Sequence, residues 1–456
     1  MNEIVNHQRE FFKTGQTKNL MFRKSQLLTL KNALQTHEQQ FLDAIDSDFK
    51  KGPFDAYATE FALIFHEIEL ALKNLKKWSK PQKVKTNIPN QPGRSYIIPE
   101  PYGTVLVIGA WNYPYQLSLV PAISALAAGN TVIIKPSELA ANTSKVMAQV
   151  LNQVFDPKVL SVQEGGVAET TQLLEQRFDK IFFTGSSPVG KIVYQAAAKN
   201  LTPVTLELGG KSPAFILPDT DIEVTARRLV WGKFLNAGQT CVAPDYLLVH
   251  EKIQEQLLDA MAKYLVKFFG SDAQKSGSYV RIINTRNFDR LTALIDNNKV
   301  AMGGKTDRDD LYIEPTVLRD VSFDDPVMQD EIFGPILPII PFTSLPDAIE
   351  MVKDREKPLA LYIFSKNEFD IDSIVHQLSF GGGCINDTIM HLANSYLPFG
   401  GVGNSGMGNY HGKFGFDGFS HQKSLLRKGF SFEPAIKYPP YSLEKLAWLK
   451  RVMSIS

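Results

Sequence analysis

Hydrophobic positions recur along the chain in two rhythms. From residue 20 to 78 they fall at spacings of three, four and seven: Leu27, Leu30, Leu34, Phe41 and Ile45, then Phe61, Ile64, Phe65, Ile68, Leu72 and Leu75. That period predicts amphipathic helices covering one face of whatever follows. A polar, Pro-rich stretch at 79–101 breaks the pattern. Beyond it, short apolar runs at 104–109, 131–135, 159–163, 180–184 and 203–208 alternate with amphipathic segments. Runs of this length separated by roughly 20 to 28 residues suit βαβ crossovers, so the region is predicted to be a parallel, doubly wound sheet. Such a sheet binds ligands beyond the carboxyl ends of its strands.

After Glu207 a second block begins, with LGGKSP as a turn, a helix at 221–236, a strand at 246–250, a helix at 344–354 and a strand at 360–365. It also reads as α/β, with a boundary near 206. The segment 390–430 is rich in Gly and aromatics. At 456 residues the chain exceeds what one core holds, so two or more domains are expected.

Charge narrows the function little but excludes something. The 49 basic and 48 acidic residues leave a net charge of +1, which gives no general attraction to nucleic acid. Two cysteines, Cys241 and Cys384, are too few for a disulfide scaffold and fit a reducing cytosol, although one bridge between them stays open. The start lacks the pattern of a secretory signal, and no run of about 18 apolar residues occurs, so a cytoplasmic protein is expected.

Several segments carry candidate chemistry. In IFFTGSSPVGKIV (181–193) a strand runs through a Gly turn into a helix, whose first amides suit a pyrophosphate. The dinucleotide fingerprint G-x-G-x-x-G is absent. Gly185 to Lys191 nearly spells a phosphate-binding P-loop, but Ile192 stands where a Mg²⁺-holding Ser or Thr belongs. An ordinary glycine turn is the plain alternative. In TVIIKPSE (131–138) Lys135 and Glu138 follow a buried strand, where they suit ribose hydroxyls; read alone, the segment is a solvated turn before a helix.

Cys241, in NAGQTCVAP, sits on a loop between Gly238 and Pro244, a setting for a nucleophile or for a small packed side chain. Cys384 has no comparable context. Glu207 ends the strand VTLEL beside two glycines and is placed for general-base work, or is a surface acid. Asn112, in AWNYP, offers an amide to an oxyanion, or forms a turn. The eight His residues are scattered without metal-ligand spacing, so no metal is expected. Residues 403–407 formally fit G-x-S-x-G, but they follow no apolar strand, and a Gly-rich loop is the better reading.

Taken together, AWNYP (110–114), KPSE (135–138), FTGSSPVG (183–190), LELGGKSP (206–213), GQTC (238–241), EIFGP (331–335) and PFGG (398–401) resemble the aldehyde dehydrogenase superfamily, in its order. Coverage runs from about residue 20 to 425. The segment 398–421 looks like the class 3 branch, as does the lack of a long N-terminal extension.

The resemblance implies NAD(P)-dependent oxidation of an aldehyde to an acid, with an apolar aliphatic or aromatic aldehyde as substrate. Cys241 would form the thiohemiacetal and then the thioester. Asn112 and the Cys241 amide would hold the oxyanion, and Glu207 would activate the hydrolytic water. Glu331 and Phe333 would meet the nicotinamide end, with Glu331 in some relatives also acting in catalysis. Lys135 and Glu138 would hold the adenosine ribose, and Gly185, Ser186, Ser187, Pro188, Val189 and Gly190 the pyrophosphate. Glu138 favours NAD over NADP, though relatives use both.

The implied architecture is an atypical Rossmann-like cofactor domain (1–78 and 104–206), an α/β catalytic domain (207–390) and a small dimerisation arm (79–103 and 391–430), giving a homodimer. A tail follows at 431–456. There Leu443, Leu446, Leu449, Val452 and Met453 fall at helical spacing among Lys445, Lys450 and Arg451, a pattern for weak contact with a membrane surface or for docking on the protein itself.

Overall fold

The computed structural model describes residues 1–453, and side chains as far as Arg451. Its first sheet has six strands, in the spatial order Gly406–Met407, Val204–Glu207, Lys180–Thr184, Thr104–Ile108, Thr131–Lys135 and Leu160–Val162. The last five are mutually parallel, and Gly406–Met407 joins the edge antiparallel. The central strands TVLVI, TVIIK and KIFFT are buried along their whole length, which is why they read as continuous apolar runs rather than alternations. In chain order the sheet runs outward from Thr104–Ile108 in one direction and then from Lys180–Thr184 in the other. The reversal leaves a crevice between these two strands, at their carboxyl ends.

The helices expected over 20–78 form as Leu20–Thr36, Glu38–Phe49, Pro53–Ala56 and Ala62–Trp78, with a π-helical turn at Tyr57–Phe61. Leu27, Leu30, Leu34, Phe41, Ile45, Phe61, Ile64, Ile68 and Leu75 are buried against the sheet layer. A helix at Asn2–Lys13 precedes them and was not anticipated.

The second sheet has seven strands, in the order Val300–Met302, Thr316–Leu318, Ile336–Phe342, Tyr246–His250, Pro213–Ile216, Ala360–Phe364 and Gly382–Ile385. All neighbouring pairs are parallel except the first. Residues 208–212 link the two sheets.

A third, antiparallel sheet joins Gln82–Val84, Gly93–Pro101 and Ser420–Lys428. Residues 391–419, grouped with the arm in the sequence reading, pack instead on the body. Phe399, Tyr410, Phe416 and Phe419 are buried there, and Glu67 accepts the Gly412 N–H at 3.0 Å. The reason is physical: the aromatics of this segment complete the first core, and only the polar run after Ser420 is left to pair with Gly93–Pro101.

The tail forms a helix at Leu443–Met453, with Leu443, Leu446, Trp448 and Leu449 exposed rather than docked on the chain. Val452 and Met453 have side chains outside the described residues. No helix among the described residues is long and apolar enough to cross a membrane.

Candidate active site

The crevice of the first sheet opens into a cavity of about 680 Å³ that reaches from Lys135 and Glu138 at one end to Cys241, Asn112 and Glu207 at the other. The ends of four strands, Thr104–Ile108, Thr131–Lys135, Lys180–Thr184 and Val204–Glu207, build it. After Thr104–Ile108 the chain turns through Gly109, where a Cβ would stand 2.1 Å from Ser118 Oγ, and delivers Trp111 and Asn112. After Lys180–Thr184 comes Gly185. Its backbone is not left-handed; glycine is required there for space, because a Cβ would meet the Phe183 ring at 2.6 Å. Val204–Glu207 ends on the carboxyl itself.

The thiol loop follows the helix Ile222–Phe234. Asn236, Ala237 and Gly238 all have positive φ (52°, 51° and 71°), conformations that cost energy in the first two and must be held from outside. Gln239 does much of this. Its Nε2 donates to the carbonyls of Asn236 (3.1 Å) and Arg281 (3.0 Å), and its Oε1 accepts from Ile283 N–H (3.1 Å). Asn112 Nδ2 donates to the Gln239 carbonyl at 3.1 Å, while Asn236 Nδ2 donates to the Asn112 carbonyl at 2.9 Å. Tyr113 Oη and Thr240 Oγ1 lie 2.7 Å apart. The AWNYP and GQTC segments are thus cross-bonded, with Cys241 directly after the last link. The Asn112 amide retains one N–H for a ligand.

Cys241 and Cys384 are both free thiols, so no bridge joins them. Cys241 is partly buried on the cavity wall. Desolvation, then the carboxyls of Glu331 and Glu207, push its thiol up to about 12, against the pull of the Cys241 and Val242 amides. Glu207 is 3% exposed, and neither carboxyl oxygen has a partner. Burial holds its proton affinity well above the usual carboxylate range.

Glu331 is raised to about 8 by burial and then by Asp245, opposed by the Gly210 N–H, Lys211 and Lys233. Its segment is clamped: Ile332 N–H donates to Asp245 Oδ1 at 3.0 Å, Arg290 Nη2 to the Ile332 carbonyl at 2.7 Å, and Lys211 Nζ to the Asp330 carbonyl at 2.8 Å. Phe333, at φ 50°, packs edge-on to Trp111 at 5.3 Å.

At the other end Lys135 is buried. Its Nζ donates to the Pro136 carbonyl at 2.7 Å and lies 3.6 Å from Glu138, which is half exposed. A buried ammonium with donors to spare beside a carboxylate fits a vicinal diol. Gly185, Ser186 and Val189 line the cavity at the start of the helix Ser187–Ala198. Ser187, Pro188 and Gly190 do not line it. Ser187 Oγ donates to the Asn404 carbonyl at 3.2 Å, Pro188 lies in the first helical turn, and Gly190 is pressed on Leu208, 2.6 Å from where a Cβ would stand. Lys191 also lies outside the lining, so the near-P-loop spelling makes no P-loop. No cluster of metal-ligating side chains occurs among the described residues.

Sequence reasoning missed the supports. Gln239, Asn236, Asp245 and Arg290 act through bonds to segments far away in the chain, and no local pattern announces them. It also missed Val167, Thr170, Thr171 and Leu174, one face of a short helix that forms an apolar wall. Of the neighbouring aromatics, Tyr115 and Phe234 are core, Tyr113 is buried behind the thiol loop, and Trp231 is exposed.

A cavity at the switch point of a doubly wound sheet, with a ribose-sized polar end and a thiol set between two carboxyls, is the arrangement of an oxidoreductase that works with a dinucleotide. The chain belongs to the aldehyde dehydrogenase family, whose model ("Aldehyde dehydrogenase family") matches residues 1–425. It is 50% identical over 433 residues to the 4,4'-diaponeurosporen-aldehyde dehydrogenase of Staphylococcus aureus (strain NCTC 8325 / PS 47), with 94% of each chain covered. It is 48% identical to the aldehyde dehydrogenase family 3 member A2 of Rattus norvegicus, over 99% of this chain and 93% of the other.

Among solved structures, the substrate-bound state of Staphylococcus aureus AldH superposes with a TM-score of 0.97, at 48% identity and 99% coverage of both chains. The Mycobacterium tuberculosis aldehyde dehydrogenase complexed with NAD+ has a TM-score of 0.84, at 28% identity over 94% of this chain and 90% of that one. The α/β fold is that of these enzymes, and the protein is an aldehyde dehydrogenase. The phosphohydrolase alternative falls with this result.

Proposed function

We propose that the protein oxidises an aldehyde to its carboxylic acid through a covalent thioester on Cys241, with NAD as acceptor and NADP as an alternative. The observation that carries the reading is Glu207: a fully buried carboxyl with two unpartnered oxygens, on the same cavity wall as the Cys241 thiol. Burying such a group costs free energy unless its proton affinity is used. Lys135 and Glu138 would hold a ribose, the amides after Gly185 a pyrophosphate, and Glu331 with Phe333 the nicotinamide end. The dinucleotide, when bound, supplies the hydride acceptor.

The chain's own residues do the rest. Glu207 takes the proton of the Cys241 thiol, and the sulfur bonds to the aldehyde carbon as the carbonyl electrons move onto oxygen. The free Asn112 N–H and the Cys241 amide hold that oxyanion. Its collapse expels the hydride and leaves a thioester. Once Glu207 has passed the thiol proton to solvent it accepts another from water, whose oxygen adds to the thioester carbon; collapse displaces the Cys241 thiolate and releases the acid. Glu331 shares the electrostatic control of the thiol.

Trp111, Leu117, Phe399 and Tyr410 surround this end of the cavity and favour an apolar aliphatic or aromatic aldehyde; the Staphylococcus aureus relative is itself named for an aldehyde, 4,4'-diaponeurosporen-aldehyde. We assign the third sheet to a homodimer contact, checked by the mass in solution with and without residues 79–101. Two free cysteines fit a cytoplasmic setting. The exposed stripe of Leu443, Leu446 and Leu449, with Trp448 exposed beside it, supports weak contact with a lipid surface. Liposome binding unchanged on deleting 441–456 would remove that part.

The test of the reaction is Cys241→Ala. Aldehyde-dependent NADH formation should disappear while NAD binding persists, whereas normal turnover by the variant would overturn the mechanism.

A further inference from the structure

Behind the thiol loop, on the side away from the cavity lining, lies a buried charged group that the reaction does not use. Lys51 and Glu60 have side chains at 0% exposure, with Lys51 Nζ 3.9 Å from Glu60 Oε1. Neither of these two atoms has a hydrogen-bond partner. Ion pairs this deep are weak sources of stability, because desolvation offsets the attraction. Their geometry points elsewhere.

The helix Gln116–Ala128 begins at Tyr115, whose side chain cannot cap it. Glu60 caps it from another helix: its Oε2 accepts the N–H groups of Tyr115 at 2.7 Å and Gln116 at 3.1 Å. Glu60 lies within the π-helical turn Tyr57–Phe61, an irregularity of the kind that often marks a functional position. Lys51 Nζ in turn sits 4.5 Å above the Tyr113 ring, and Tyr113 Oη meets Thr240 Oγ1 at 2.7 Å. Pair, helix end, Asn112–Tyr113 and thiol loop therefore form one continuous set of contacts.

We propose that Glu60 and Lys51 are positioning residues for aldehyde oxidation: the buried pair fixes the start of the helix Gln116–Ala128, and with it Asn112 and Tyr113, against the loop that carries Cys241. The proposal rests on the reading that Asn112 holds the oxyanion. A displacement of about 1 Å at that donor is enough to cost on the order of 10²-fold in rate. Neither residue touches the cofactor end of the cavity, so the affinity for NAD is independent of them.

A double-mutant cycle tests this. Glu60→Ala should lower kcat by about 10-fold or more with the Kd for NAD unchanged, and Glu60→Gln, which keeps an acceptor for both N–H groups, should restore most of it. In an Asn112→Ala background, Glu60→Ala should cost little more. If Glu60→Ala does not fold, Lys51→Met, which keeps both cap bonds and the side-chain volume, replaces it in the same cycle. An unchanged kcat in the folded variant, or losses that multiply with that of Asn112→Ala, overturns the proposal. An Asn112→Ala enzyme with normal kcat instead overturns the oxyanion assignment, a separate failure.

Discussion

A Cβ on Gly209 would stand 1.9 Å from Glu331 Oε2. The carboxyl occupies its place beside the thiol because residue 209 has no side chain, and the second glycine, Gly210, donates its N–H to that carboxyl. Gly209→Ala should therefore displace Glu331 without unfolding the strand that ends at Glu207. Turnover should fall by about 10-fold or more, the scale of a misplaced catalytic group, and adding Glu331→Gln should change it little further. Kinetics of the two single variants and the double variant check this; full activity in Gly209→Ala would contradict it.

The carboxyls set the thiol. Glu331 and Glu207 both raise the proton affinity of Cys241, so neutralising either one should lower the thiol from about 12. Glu331→Gln should be inactivated faster by iodoacetamide at pH 8, and the pH profile of alkylation should move to lower pH. An unmoved profile would mean that the carboxylate does not act on the sulfur.

The same carboxyl has a linked effect on stability. Glu331 is raised from 4.5 to about 8, so the folded state binds the proton more tightly than the unfolded chain. Its contribution is fully present below pH 4.5 and is lost as pH rises through about 8. Thermal denaturation should show wild-type Tm falling across that window more than the Tm of Glu331→Gln. Parallel curves would rule the effect out.

Gln239 joins three buried backbone groups, on Asn236, Arg281 and Ile283. Gln239→Leu leaves the Arg281 carbonyl and the Ile283 N–H unpaired, while the residue 239 N–H still serves the Asn236 carbonyl; at about 1 kcal/mol or more for each lost partner, stability should drop by roughly 2 kcal/mol. Chemical denaturation measures it, and a loss under about 0.5 kcal/mol, the range of an ordinary surface substitution, would show that the loop is held otherwise.

How much of this was legible beforehand depended on whether the cause was local. Strands such as TVIIK announce themselves because a strand buried on both faces must be apolar throughout. The helix Asn2–Lys13 does not, since it buries only Val5, Gln8 and Phe11, and Gln8 is polar because its Nε2 donates to the Val132 carbonyl at 2.9 Å. Cys241, Glu207 and Asn112 stand out on their loops only as candidates with plain alternatives, and their roles come from the resemblance carried by the ordered motifs. Ser187, Pro188 and Gly190 shared a motif with Gly185 but turned inward or away, because only one side of a helix start faces a cavity. Glu60 reads as a surface acid in a helix; its burial follows from a π turn that residue spacing does not signal.

The most direct test of the central claim is to look for the acyl group on Cys241. Glu207→Gln removes the base of both steps, each such loss being worth roughly 10² to 10⁴ in rate; water is a far weaker acid than a thiol, so release of the acid should slow more than formation of the thioester. Incubated with NAD and an apolar aldehyde, then quenched in acid, this variant should carry the mass of one acyl group on the peptide that contains Cys241. An unmodified Cys241 peptide in a variant that has formed NADH would contradict the thioester mechanism.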